Sequence, residues 1–167
     1  MPIIRNSSYK KAPFFQFNGH LQTIIPGIFR KVKNVNYQRE RLELEDQDFL
    51  DLDWINNESQ SLVLLSHGLE GNSDRQYIKG AAKLFSRNGW DVLAWNCRSC
   101  SGEMNRSSRL YHHGDIEDIG AVINHALRKK EYRNLVMVGF SMGGAITLNY
   151  LGKNGMNIPP QVKAAIA

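Results

Sequence analysis

Cysteines, long apolar runs and targeting signals are scarce or missing in this sequence. Its 167 residues include two cysteines, too few for a disulfide framework. No apolar stretch approaches the roughly 20 residues that a transmembrane helix needs. The N-terminal residues also lack the apolar region of a secretory signal. These absences predict a cytoplasmic protein without a transmembrane segment.

The sequence also has no strong charge asymmetry and no low-complexity tract. The 21 basic side chains exceed the 16 acidic ones by five, but they form short clusters near residues 10–11, 30–33 and 128–130. None of the usual nucleic-acid-binding modules is recognisable, so we expect no nucleic-acid partner. With 42% hydrophobic residues, the composition is that of one globular domain.

Regular patterns begin after the first 34 residues. Residues 1–34 show little periodicity but are rich in Phe and Ile, so we expect an arm that packs on a core formed by residues 35–167. Residues 36–45 and 49–54 predict a β-hairpin closed by a turn at 45–48. Apolar and acidic side chains alternate in its second strand, which predicts one buried face.

The rest of the chain predicts a mostly parallel sheet. Apolar runs typical of buried strands occur at residues 61–66, 91–95, 135–140 and from 162 onwards. Helix-like segments lie between them, with Asp74 and Asp115 as expected caps. Strands and helices that alternate at this spacing indicate βαβ units. The predicted fold class is α/β, with an N-terminal antiparallel hairpin and an end at about the sixth strand.

Ser141 carries the clearest chemical signal. The stretch 139–144 reads G-F-S-M-G-G and stands between a predicted strand and a predicted helix. In that setting G-x-S-x-G is typical of a sharp turn that exposes a nucleophilic serine. Side chains at Gly139 and Gly143 would collide in so tight a reversal. Because Ser141 begins a helix, we expect the Met142 amide to point at the oxyanion of an acyl-transfer reaction.

A second glycine-containing turn follows an earlier predicted strand. Residues 66–71 read S-H-G-L-E-G, which places His67 and Gly68 in an H-G-x-x-G pattern. The second oxyanion donor of such a site is expected in a loop of this kind, and the Leu69 amide is the candidate. Two such motifs, each after an apolar strand, are far more specific than G-x-S-x-G alone.

Several motifs, in the same order, resemble those of the YheT-type hydrolases. They are F-N-G-H-L-Q-T at 17–23, D-L-D-W at 51–54, H-G-L-E-G at 67–71, N-C-R-S-C-S-G-E at 96–103, N-R at 105–106, R-L-Y-H at 109–112 and G-F-S-M-G-G at 139–144. These are α/β-hydrolase-fold esterases related to plant embryo-abundant and mammalian abhydrolase-domain proteins. The resemblance implies a carboxylic-ester hydrolase with Ser141 as the nucleophile of a Ser–Asp–His triad. It also implies acyl-ester or lipid substrates.

The acid and the histidine of that triad are not found after Ser141. Residues 142–167 contain no Asp, Glu or His, whereas in α/β hydrolases both partners follow the serine. We therefore expect an incomplete core that is weakly active or inactive alone. Three readings stay open: an ester hydrolase, an alcohol acyltransferase using the same chemistry, and a truncated non-catalytic half-domain. The sequence does not indicate an oligomeric state.

The other polar residues predict structural roles. We expect His67 to act through its backbone rather than its imidazole, and His125 to be solvated on the polar face of its helix. Cys97 and Cys100 lack the second ligand pair of a structural zinc site, so we expect no metal and no cofactor. Three arginines of the same loop are expected to form ion pairs rather than to bind substrate, namely Arg98, Arg106 and Arg109.

Overall fold

A computed structural model describes residues 11–167, which divide into two compact units after Lys31. The first unit contains helix α1 (Gly19–Phe29), whose N-cap Asn18 accepts a hydrogen bond from the Leu21 amide at 2.9 Å. The sequence predicted little regular structure here, so the helix is a correction, and the asparagine cap is its local cause. Packing of this arm on the core stays a prediction.

The second unit, residues 32–167, is a six-stranded sheet with three α-helices. The strands are β1 (Gln38–Glu43), β2 (Phe49–Ile55), β3 (Ser61–Ser66), β4 (Asp91–Trp95), β5 (Asn134–Gly139) and β6 (Val162–Ile166), and the helices are α2 (Gln76–Arg87), α3 (Ile116–Lys129) and α4 (Met142–Asn154). A short 3-10 helix, Gly155–Asn157, follows α4. No helix within residues 11–167 has both the length and the apolar character needed to cross a bilayer.

The strand order is β1-β2-β4-β3-β5-β6. β2 runs antiparallel to both β1 and β4, whereas β4, β3, β5 and β6 are parallel to one another. This order confirms the predicted class, a mostly parallel sheet with an antiparallel hairpin at its N-terminal side.

Helices cover both faces of the sheet. α2 packs on β3 and β4, while α4 packs on β5 and beside α3. In β3, Leu62 and Leu64 contribute to one apolar core, and Val63 and Leu65 contribute to the other. A strand alternates its side chains between two faces, so a strand covered on both faces must be apolar throughout.

β2 differs from the prediction of a single buried face. Asp51 and Asp53 alternate with apolar residues, yet they are only 3% and 2% exposed. Arg41 donates two hydrogen bonds to Asp51, at 2.8 and 3.0 Å. Arg39 donates two to Asp53, at 2.9 and 2.8 Å. These arginines stand opposite the aspartates on β1, so paired charges cover the acidic face of β2.

Both expected helix caps differ from the prediction. α2 begins after Arg75, and Asp74 instead forms an ion pair with Lys79 at 2.7 Å. Asp115 does occupy the cap position of α3, but its side chain bonds no helix amide. Its carboxylate accepts a hydrogen bond from Arg109 at 2.5 Å. An arginine from the preceding loop therefore takes the carboxylate that would otherwise cap the helix.

Candidate active site

The register of the sheet places three strand ends side by side. Ser66, the last residue of β3, pairs with Trp95 of β4 and with Gly139 of β5. The Phe140 amide also donates to the Ser66 carbonyl at 3.0 Å. The loops that follow these strands consequently meet at the carboxyl edge of the parallel sheet, where open α/β folds bind ligands.

Ser141 lies at this edge, between β5 and α4. Its backbone has φ 54° and ψ −116°, a conformation that side-chain-bearing residues rarely adopt, and it is exposed. Such strain costs about 1–3 kcal/mol and persists only where the surrounding structure imposes it. The Gly143 amide closes the turn by donating to the Phe140 carbonyl at 2.9 Å. The turn thus holds the serine at the N-terminus of α4.

Glycines allow the backbone segments around this serine to pack closely against one another. A Cβ atom at Gly139 would lie 2.6 Å from the Gly144 Cα, and one at Gly143 would lie 2.5 Å from the His67 carbonyl oxygen. Real Cβ atoms essentially never come that close to backbone. A Cβ at Gly68 would lie 3.3 Å from the Ser141 Cβ. The turn after β3 therefore lies directly against the serine.

That turn spans residues 68–71. The Gly71 amide donates to the Gly68 carbonyl at 2.9 Å, and Glu70 has a left-handed φ of 53°. Within residues 32–167, neither the Leu69 amide nor the Met142 amide donates a hydrogen bond to another group. Two uncommitted donors therefore belong to the two segments that meet at Ser141.

The imidazole of His67 joins two of the loops. Its Nε2 accepts a hydrogen bond from the Cys97 amide at 3.0 Å, so Nδ1 carries the proton and donates to the Gly68 carbonyl at 2.7 Å. Burial lowers the pKa of His67 and keeps the ring neutral. The sequence favoured the backbone of His67 over its imidazole, but the ring also contributes, because it accepts an amide of the neighbouring loop.

Arg98 anchors the loop after β4 from inside the protein. It is 2% exposed and donates to Asp118 at 2.8 and 2.9 Å and to Asp48 at 3.0 Å. Burial alone would raise the pKa of Asp48, but hydrogen bonds from the Arg106 amide and from the side chains of Asn105 and Ser107 hold it well below its usual range. Sequence reasoning missed Asp48, which looked like a turn residue.

The predicted ion pairs of the three loop arginines are confirmed. Arg98 pairs with Asp118 and Asp48, as described above, while Arg106 pairs with Glu43 at 2.5 Å. Arg109 bonds Asp115 at 2.5 Å and Glu117 at 3.1 Å. Burial and the nearby Asp118 charge raise the pKa of Asp115. These arginines hold the loop after β4.

The histidines of residues 32–167 do not reach the serine through a hydrogen bond. His112 and His113 are exposed, and the Nδ1 of His112 accepts the Gly114 amide at 3.1 Å. His125 lies 3.2 Å from a Glu40 carboxylate oxygen and is half-buried, so the expectation that it is solvated was wrong. The Glu40 carboxylate reaches it from β1, a contact between distant parts of the chain.

Cys97 and Cys100 are free thiols in the loop after β4. Cys97 is buried and Cys100 half-buried, and the Cys100 amide donates to the Cys97 carbonyl at 3.0 Å. Burial raises the pKa of both thiols. Among residues 11–167, no three His, Cys, Asp or Glu side chains are grouped so that they could hold a metal ion.

Comparison with known proteins identifies the family. Residues 61–167 match the model of the alpha/beta hydrolase fold family. The chain belongs to the α/β-hydrolase fold family. This match covers β3 to β6, including the Gly68 turn and Ser141.

The curated relatives that this chain matches are considerably longer. The chain is 36% identical over 153 residues to YheT of Escherichia coli (strain K12), provisionally named an esterase, covering 89% of this chain and 44% of that protein. It is 29% identical to the embryogenesis-associated protein EMB8 of Picea glauca (90% and 35%). It is 27% identical to the phospholipase ABHD3 of Homo sapiens (99% and 42%). The chain spans less than half the length of these relatives.

Solved α/β hydrolases share the fold. The Pyrococcus furiosus esterase Pf2001 superposes with a TM-score of 0.64 at 20% identity, covering 77% of this chain and 50% of that one. XC6422 from Xanthomonas campestris, described as a serine hydrolase without a lid, gives 0.60 at 20% identity, with 74% and 59% coverage. At this identity the likeness concerns the fold alone.

Proposed function

We propose that this chain carries the nucleophile and the oxyanion-binding groups of a serine carboxylic-ester hydrolase. The observation that supports it most strongly is the left-handed backbone of Ser141 beside the Gly68 turn. Strain at an exposed hydroxyl, in a protein of this family, is typical of a nucleophile held ready for attack.

The proposed reaction begins with attack of the Ser141 Oγ on the carbonyl carbon of an acyl ester. The carbonyl oxygen gains the negative charge of the tetrahedral intermediate, and the Leu69 and Met142 amides donate hydrogen bonds to it. The Met142 amide stands at the first residue of α4, where the helix dipole also favours negative charge. The intermediate then collapses: its C–O bond to the alcohol breaks as the base that took the serine proton returns it to the alcohol oxygen, and water hydrolyses the acyl-serine.

The hydroxyl proton needs a base, for which this sequence offers no histidine after Ser141. We propose that a histidine and an acid from outside residues 1–167 supply it, in the chain order usual for the fold. Loss of the histidine from a triad costs about 10⁶ in turnover, which leaves roughly 10³–10⁴ over water. The 167-residue chain alone is therefore expected to be a very weak esterase.

Acyl esters, including lipid esters, are the proposed substrates. One relative named as an esterase and one named as a phospholipase support this class. The exposed Leu69 side chain, at 68% exposure, adds apolar surface beside the proposed oxyanion site. A cytoplasmic location stays a prediction from sequence.

Hydrolysis of p-nitrophenyl butyrate tests the proposed function. Exogenous imidazole should substitute for the absent base, so the rate above the imidazole background should rise with the wild-type chain and not with Ser141→Ala. Ser108→Ala is a matched control, since Ser108 is exposed and distant in sequence from both turns. Equal rates for the wild type and Ser141→Ala, from chains shown by circular dichroism to be folded, would favour a non-catalytic half-domain.

A further inference from the structure

Two tyrosine hydroxyls hold the turn after β3 at alternate amides. The Gly68 amide donates to the Tyr77 hydroxyl at 3.1 Å, and the Glu70 amide donates to the Tyr111 hydroxyl at 3.0 Å. The amide between them, that of Leu69, has no acceptor within residues 32–167. The two hydroxyls therefore fix the peptide units on either side of one free donor.

Tyr77 connects this turn to the serine turn. It lies in the first turn of α2, and its ring packs on Phe140, with ring centroids 5.0 Å apart. Phe140 immediately precedes Ser141. A Cβ atom at Gly71 would lie 2.7 Å from the Tyr77 hydroxyl oxygen, so glycine at that position makes room for the hydroxyl. One side chain thus contacts both segments of the proposed site.

Tyr111 holds the turn through Glu70. Its hydroxyl accepts the Glu70 amide and donates to the Glu70 carboxylate at 3.1 Å. Arg75 donates to the Glu70 carbonyl at 2.9 Å. Glu70 has a left-handed φ of 53°, which glutamate does not favour. The turn keeps this conformation because the amide, carbonyl and side chain of Glu70 are all bound.

We propose that Tyr77 and Tyr111 are positioning residues that hold the Leu69 amide toward the oxyanion formed at Ser141. The inference rests on the proposed function, and it assigns roles to two residues outside the nucleophile and donor motifs. Neither tyrosine reacts with substrate. Each acts through the backbone of the turn, whose orientation determines where the Leu69 N–H points.

The expected effect follows from the strength of oxyanion donors. Removing one donor outright lowers turnover by about 10²–10³-fold. A donor that is present but loosely held loses part of that effect, so we expect a drop of roughly tenfold for Tyr77→Phe and for Tyr111→Phe. Binding of the probe before reaction should be unchanged, because the donor acts on charge that develops later.

The test measures phosphonylation of the serine by a fluorophosphonate in the presence of imidazole, followed by intact-protein mass spectrometry. Its concentration dependence separates probe affinity from the limiting rate constant. We expect a roughly tenfold lower limiting rate in each tyrosine variant, with unchanged affinity. Tyr132→Phe is the matched control. It also loses a tyrosine hydrogen bond, at 2.8 Å to Asp91 at the amino end of β4, and should retain the wild-type rate.

The outcomes separate this inference from the proposed function. If the wild type is labelled at Ser141 and both tyrosine variants react at its rate, the positioning role is overturned while the function stands. If the wild type is not labelled, the function fails and the oxyanion role fails with it, and amide hydrogen exchange then decides only whether the two tyrosines hold the turn. Faster exchange at Gly68 in Tyr77→Phe and at Glu70 in Tyr111→Phe, with Leu69 fast throughout, supports it. Unchanged exchange overturns it.

Discussion

The imidazole Nε2 of His67 accepts the backbone amide of Cys97 at 3.0 Å. This contact ties the loop after β3 to the loop after β4, next to the turn that lies against Ser141. A neutral ring is required, because protonated Nε2 would become a donor facing another donor.

Stability should therefore fall as the pH decreases below neutrality. Burial lowers the pKa of His67 in the folded chain, so below about pH 6.5 the unfolded chain binds a proton that the folded chain does not. The free energy of unfolding should decrease from there until the folded-state pKa is reached. Urea titrations between pH 8 and 5 check this. The His67→Gln variant should have a smaller free energy of unfolding at pH 8, but that free energy should change less with pH than in the wild type. An unchanged pH dependence in the variant would show that His67 is not its cause.

Gly143 should tolerate no side chain. In Gly143→Ala the new Cβ meets the carbonyl oxygens of Ser66 and His67, the latter at 2.5 Å. Both are backbone atoms, so neither can move cheaply. We expect a loss of about 3 kcal/mol or more in the free energy of unfolding. Gly152→Ala is the matched control in α4, with nothing within 4 Å of its Cβ position. It should stabilise the chain by up to about 1 kcal/mol, and equal effects of the two substitutions in urea denaturation would refute the close approach.

The strained backbone of Ser141 should be measurable without any reaction. Ser141→Gly relieves about 1–3 kcal/mol of strain and costs about 0.5–1 kcal/mol in unfolded-state entropy, whereas Ser141→Ala keeps the strain. The glycine variant should therefore unfold at a higher urea concentration than the alanine variant, by about 1 kcal/mol. At Ser108, whose φ is not positive, the same pair of substitutions should rank in the opposite order. The same order at both positions would mean that Ser141 is not strained.

Arg98 should be essential for the loop after β4. Arg98→Ala leaves the buried carboxylates of Asp48 and Asp118 without their cation, which typically costs about 3–5 kcal/mol. Arg106→Ala removes an exposed pair with Glu43 and should cost far less. Chemical denaturation of both variants makes the comparison. Similar decreases in the free energy of unfolding for the two variants would show that the buried ion pairs of Arg98 are not more stabilising than the exposed pair of Arg106.

The sequence was sufficient to predict the sheet. Parallel strands that are buried on both faces are continuous apolar runs. The run at 61–66 therefore predicts a strand without any information about its tertiary contacts. The turn at Ser141 was equally local, because two glycines flank the serine. Features whose cause lies within a few residues of chain were predicted.

The missed features depend on contacts between distant residues. The alternation in β2 looked like one solvated face, and only the pairing with Arg39 and Arg41 on β1 buries Asp51 and Asp53. The role of the His67 ring required the register between β3 and β4, which determines that Cys97 lies within reach. The residue pattern within one strand does not indicate which distant residue a side chain will contact. The hydrogen-bonding side chains around the site were therefore the least predictable part of the structure.

Mapping a fluorophosphonate adduct tests the central claim most directly. The folded chain is treated with the probe and imidazole, digested and sequenced by mass spectrometry, with Ser141→Ala and Ser108→Ala treated in parallel. A single adduct on Ser141, present in the wild type and in Ser108→Ala and absent from Ser141→Ala, is the result the account predicts. An adduct on another residue, equal labelling of Ser141→Ala, or no adduct from the folded wild-type chain would contradict it.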